Sequence, residues 1–130
     1  MESNRGGDID GEFNDFLGGQ VAINSIGNII VATGAGRNTY SSYGQVFELA
    51  TGSWSKMGEA INGEHNSDVF GSDVAMNSAG DIVIIGADGY DAKGKNASGY
   101  AQVYEYTANN AQKWTKLGQD LEGDEATDRY

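Results

Sequence analysis

The sequence predicts an all-β fold made of two consecutive four-stranded antiparallel units. Three observations lead there. The 130 residues hold two ordered copies of one pattern about sixty residues long. The apolar residues fall in short alternating clusters without a helical period. Glycine is abundant, at 20 residues, while proline is absent, where ordinary usage gives about nine and about six in this length. Excess glycine without proline suits a chain of many tight turns that need positive φ.

Four blocks recur in the same order. Ile9-Asp10-Gly11-Glu12 returns as Ile61-Asn62-Gly63-Glu64, and again as Leu121-Glu122-Gly123-Asp124. Val21–Ile29 returns as Val74–Ile82, Gln45-Val46-Phe47-Glu48 as Gln102-Val103-Tyr104-Glu105, and Trp54–Gly58 as Trp114–Gly118. The offsets of 52, 53, 57 and 60 only grow along the unit. Stepwise growth is the mark of one aligned repeat with small loop insertions in its second copy.

Residues 20–24 and 74–77 alternate, with Val and Ile or Met on one face and Ala and Asn on the other, as in a half-buried strand. Ser25-Ile26-Gly27 and Ser78-Ala79-Gly80 then read as hairpin turns. Residues 28–33 and 81–86 are near-continuous apolar runs, expected of strands buried on both faces. A loop follows at 34–43 and, longer, at 87–100. Third strands are expected at 45–49 and 102–106, and fourth strands from Trp54 and Trp114.

Four antiparallel strands per unit, with one aromatic position repeated, predict two blades of a β-propeller. A twisted sheet has two faces to cover, and stacking like sheets covers both. A single β-sandwich is the alternative that this length permits, but it gives no reason for near-identical halves. The expected organisation is a lead at 1–7, a first repeat at 8–60, a second at 61–120 and the entry to a third at 121–130.

Eight basic against nineteen acidic residues leave a net charge of -11. That field repels phosphate and makes nucleic acid and anionic membrane poor partners. No cysteine is present, which excludes disulfides, thiolate metal sites and cysteine nucleophiles. The opening residues 1–7 lack the apolar stretch of a signal peptide, and no run is long enough to insert in a bilayer.

Val69-Phe70-Gly71-Ser72-Asp73-Val74-Ala75-Met76-Asn77, then Val83-Ile84-Ile85-Gly86-Ala87, then a glycine-bearing loop and Ala101–Tyr106, resemble the FG-GAP repeat of integrin-α-type propellers. The segment Trp114–Asp124 is similar to the inter-blade linker of the microbial and algal version. The first copy departs, with Leu17-Gly18 at the Phe-Gly position and Gly34-Ala35 displaced by one residue. The resemblance implies a non-enzymatic structural or adhesive module, extracellular or at the cell surface, whose partners are other protein chains or further blades. It also implies incompleteness, since propellers close with about four to eight blades. Either the chain is a piece of a longer propeller or several chains share one ring. Integrin-type repeats hold calcium in an Asp-rich loop between the first two strands. Here residues 24–28 and 77–81 lack those alternating ligands, so that site is not carried over.

The expected site residues are correspondingly few. Tyr40, Tyr43, Tyr90 and Tyr100 are read as loop aromatics, free to bind a partner or a glycan. Trp54 and Trp114 are read first as shared core positions and second as sugar-stacking platforms in a lectin-like ring. Asp88, Asp91 and Asn96, among the turns that Gly89 and Gly94 allow, are the candidate ligands for weakly bound calcium. No other cofactor is expected. Asn96-Ala97-Ser98 is a glycosylation sequon. The acidic clusters at 8–15 and 120–128 read first as solvated linker charge and second as weak cation sites, since their spacing does not fix a cage. His65, the sole histidine, sits in a polar linker with no catalytic pattern around it, and no carboxylate pair is marked for hydrolysis.

Overall fold

A computed structural model describes residues 7–9, 18–35, 42–62, 70–87, 99–109 and 113–122. These residues form an all-β structure of two antiparallel sheets and contain no helix long and apolar enough to cross a membrane. The first sheet comprises β1 (Val21–Ile23), β2 (Ile29–Ala35), β3 (Ser42–Ala50), β4 (Ser53–Lys56) and β5 (Ile61–Asn62). The second comprises β6 (Phe70–Met76), β7 (Ile82–Ala87), β8 (Tyr100–Tyr106), β9 (Trp114–Lys116) and β10 (Leu121–Glu122).

Each sheet is four strands wide. In the first, β1 to β4 pair in chain order, and β5 joins the same edge of β3 beyond β4. The second sheet repeats this, with β9 and β10 sharing the edge of β8. The expected fourth strand is therefore split in two. The left-handed glycines Gly58 (φ 81°) and Gly118 (φ 80°) stand at the breaks. Other boundaries shift as well. Residues 34 and 35 extend β2, Tyr43 lies within β3, and Tyr100 opens β8, so none of these belongs to the loops expected there. The strand after the Phe-Gly motif is longer than anticipated, because pairing of β6 with β7 begins at Phe70↔Ala87 and crosses an irregularity before Asp73.

The hairpin between the first two strands is organised by an asparagine in both copies. Asn24 Oδ1 accepts the main-chain N–H groups of Asn28 and Ile29 at 3.0 Å, and its amide donates to Asn28 Oδ1 at 2.8 Å. Asn77 Oδ1 accepts from Gly80, Asp81 and Ile82, and its amide donates to Asp81 Oδ1. One short side chain thus satisfies main-chain donors that a four-residue turn leaves outside the ladder.

The two sheets pack face to face. Val31, Val46, Met57 and Ile61 of the first meet Val83, Ile85, Ala87, Tyr100 and Trp114 of the second, with Ala22, Ile29, Val74, Met76, Tyr104 and Tyr106 around them. Burial of this apolar surface is the main driving force holding the sheets together. The turns also touch: the Ser25 main-chain N–H and hydroxyl both donate to the Ser78 carbonyl at 3.2 Å.

Candidate functional site

The faces that meet are not equivalent ones. Strand pairing places Ala22, Val31, Val46, Met57 and Ile61 on the inner face of the first sheet. Their repeat counterparts are Ala75, Ile84, Val103, Leu117 and Leu121, which share the outer face of the second sheet. Conversely, inward-facing Val74, Met76, Ile85, Tyr104 and Trp114 correspond to Val21, Ile23, Ala32, Phe47 and Trp54 on the outer face of the first sheet. The sheets therefore stack in one sense, front against back.

Apolar surface is left over on both outer faces. Val21 and Ile23 are 63% and 58% exposed, although Ala32 and Phe47 on the same face are buried. On the second sheet Ile84, Leu117 and Leu121 are 37%, 45% and 50% exposed. A shallow groove of about 260 Å³ runs there between Ala75, Ile84, Gly86, Ala101 and Leu121. It exists because Gly86 occupies the position that Thr33 holds in the first sheet. Thr33 instead fills its own face, packing within 3 Å of where a Cβ on Gly71 would sit. The run along β7, expected to be covered on both faces, is buried on its inner face at Val83, Ile85 and Ala87 but leaves Ile84 37% exposed on the outer one.

A second concavity, also about 260 Å³, lies between the sheets and is lined by Glu59, Ala60, Ile61, Asn62, Tyr104 and Trp114. Its polar wall is tied down. The Tyr104 hydroxyl donates to Gln102 Oε1 at 2.6 Å, and Gln102 Nε2 donates to Asp120 Oδ1 at 2.9 Å. Lys116 Nζ completes the set with a 2.8 Å ion pair to the same oxygen. Gln102 is fully buried, so its amide needs these partners.

The expected site residues are scattered. Trp114 is buried, and its indole N–H donates to the Met57 carbonyl at 2.7 Å, which makes it a tie between sheets. Its ring also packs against Tyr106, centroids 5.2 Å apart. Trp54 is half-buried on the outer face of the first sheet. Tyr43 is half-buried in β3, and Tyr100 is fully buried in β8, part of the core rather than a loop aromatic. Tyr40, Tyr90, Asp88, Asp91, Asn96 and His65 lie outside the described residues. Sequence reasoning gave Tyr104 and Gln102 no site role and read Asp120 as solvated linker charge, whereas Asp120 is mostly buried and holds Gln102 and Lys116. The available signal was the repeated Gln-Val-aromatic-Glu block with Asp120 where the first copy has Ala60. Gly86 was legible only as part of the Gly-Ala motif, and the one-residue displacement of Gly34-Ala35 was the signal that Thr33 stands at its place in the first copy.

No protein-family model matches this chain, and no curated protein matches it in sequence.

Proposed function

We propose that this chain is a β-propeller-type segment without enzymatic activity, a structural or adhesive protein-interaction module working outside the cell or at its surface. The observation that carries the reading is the one-way stacking of two near-identical sheets. A front-to-back stack leaves a fresh front and a fresh back at its ends, so further sheets add by the same contact. Its partners are further sheets of this kind or other protein chains. The resemblance to integrin-α-type repeats supports the same reading and the same setting. Calcium held by Asp88, Asp91 and Asn96, and a glycan on Asn96, belong to the proposal as accessory features.

Light scattering of the chain, with calcium and again with chelator, tests this. A mass above one chain at micromolar concentration supports an interaction module, and a calcium-dependent mass assigns the ion a part in it. A mass of one chain at every concentration overturns the association of sheets.

The inter-sheet cleft favours a second reading, a glycan-binding module of lectin type. Tyr104 supplies an aromatic wall, and Glu59 and Asn62 supply exposed polar groups beside it, the combination that recognises a sugar ring. Specific glycan-array binding that Asn62→Ala abolishes supports it, and an array without signal removes it.

A further inference from the structure

We propose that the outer face of the second sheet docks the first sheet of a second copy of this chain, repeating between molecules the contact made within one. The inference rests on the interaction-module reading and names its partner.

The strongest argument is a matched pair of tryptophan seats. Within the chain Trp114 sits on the Met57–Gly58 corner. A Cβ on Gly58 would lie 2.7 Å from Trp114 Cδ1 and 2.9 Å from Nε1, so only glycine admits the indole. The equivalent corner is Leu117–Gly118. Gly118 has the same left-handed backbone, yet no described atom comes within 4 Å of a Cβ there. Among the described residues the seat is built twice and filled once. The counterpart of Trp114 is Trp54, already at the outer face of the first sheet.

The strands beside the seat match too. β6 packs on the first sheet with Val74 and Met76 turned inward and Gly71 against Thr33. Its counterpart β1 presents Val21 and Ile23 to solvent at the same register, and Gly18, like Gly71, is left-handed, with no described atom near its Cβ position. The accepting side is the groove of Ala75, Ile84, Gly86, Ala101 and Leu121. Both halves of the contact thus exist on one molecule. They are different surfaces, so the association is heterologous and propagates until it closes into a ring or runs on as a filament.

The test uses two aspartate substitutions at exposed positions, one per face, with light scattering as the readout. Ile84→Asp blocks the accepting face and Ile23→Asp the donating face. The wild-type chain is expected above the mass of one chain, each variant alone at one chain, and their equimolar mixture at two chains, since each retains the half that the other has lost. Circular dichroism checks folding, and Ile84→Ser with Ile23→Ser replaces the pair if an aspartate variant unfolds. If the Ile23→Asp chain still self-associates, the second-sheet face pairs with itself and the proposal fails. If both variants keep the wild-type mass, association uses another surface; the proposal fails while the interaction-module reading stands. A wild-type chain of single mass overturns the proposal and leaves the interaction-module reading with other protein chains as its partners.

Discussion

The Trp114 indole reaches across the gap between the sheets and donates to the Met57 carbonyl, 57 residues earlier in the chain. Neither group has water as a substitute, because both residues are buried. The bond therefore fixes sheet-to-sheet register as well as adding stability. Trp114→Phe removes the donor, leaves the carbonyl unsatisfied and opens a small void, for an expected loss of about 2–4 kcal/mol. Trp54→Phe, at a half-buried position, is expected to cost less. Urea unfolding followed by fluorescence of the remaining tryptophan reads both changes as shifts in midpoint.

The two corner glycines allow a cleaner comparison, since their backbones are alike and their surroundings are not. Gly118→Ala meets only the strain of a side chain in the left-handed region, about 1–2 kcal/mol. Gly58→Ala meets that strain and a collision with Trp114, which adds about 1–3 kcal/mol. The difference between their unfolding free energies, measured at low protein concentration, isolates the filled seat from the open one. Equal losses would mean that Trp114 can shift freely, contrary to its bond with Met57.

Asn24 and Asn77 organise equivalent turns but face different fifth residues, Asn28 and Asp81. Replacing either by alanine removes two or three hydrogen bonds to main-chain N–H groups and is expected to cost about 2–3 kcal/mol. Replacement by aspartate separates them. At Asn24 the new carboxylate keeps its acceptors and meets an amide, which can turn its NH₂ towards it. At Asn77 it meets the carboxylate of Asp81, a like-charge contact. Asn77→Asp is therefore expected to destabilise more than Asn24→Asp, and added salt to narrow the gap; thermal unfolding at two ionic strengths measures it.

Asp120 serves two partners of unequal importance. Lys116 is an exposed cation whose ion pair is worth about 0.2–1 kcal/mol, so Lys116→Ala is expected to give the smaller loss. Asp120→Ala also takes a partner from the fully buried Gln102 amide, for an expected loss of about 1–2 kcal/mol. Comparable losses in chemical denaturation would place the value of Asp120 in the ion pair instead.

Salt discriminates between modes of self-association. Copies carrying a net charge of -11 repel one another, while the proposed contact is apolar. Raising salt from about 0.02 M to about 0.5 M shortens the screening length several-fold and is expected to increase the mass seen by light scattering. A decrease would point to ion pairs between copies.

Strand positions were legible because period-two patterning and repeated blocks report local structure directly. Which face is covered was not. Val21 and Ile23 carry the same pattern as Val74 and Met76, yet the first pair meets solvent and the second meets a neighbouring sheet. That distinction belongs to the sense of stacking, which no window of sequence contains. Tyr100 misled for a related reason: it follows a glycine-bearing loop, but pairing with Ala87 draws it into the core. The asparagine turns lay open to view in the repeated Asn-Ser-x-Gly, where the alternation of the strand before them assigned Asn to a face rather than to the corner.

β5 opens the second sequence repeat but completes the edge of the first sheet, pairing Tyr43↔Asn62 and Gly44↔Ile61. The period of the sequence and the period of the folded object are thus out of phase by one short strand. The first sheet borrows its last edge from the segment that leads into the second, and β10 fills the same place in the second sheet. Neither can be excised at the sequence boundary without losing that edge, and loosening the second sheet pulls on the first through the same covalent link. Cooperativity between the halves is therefore written into the connectivity itself, in addition to the surface they share.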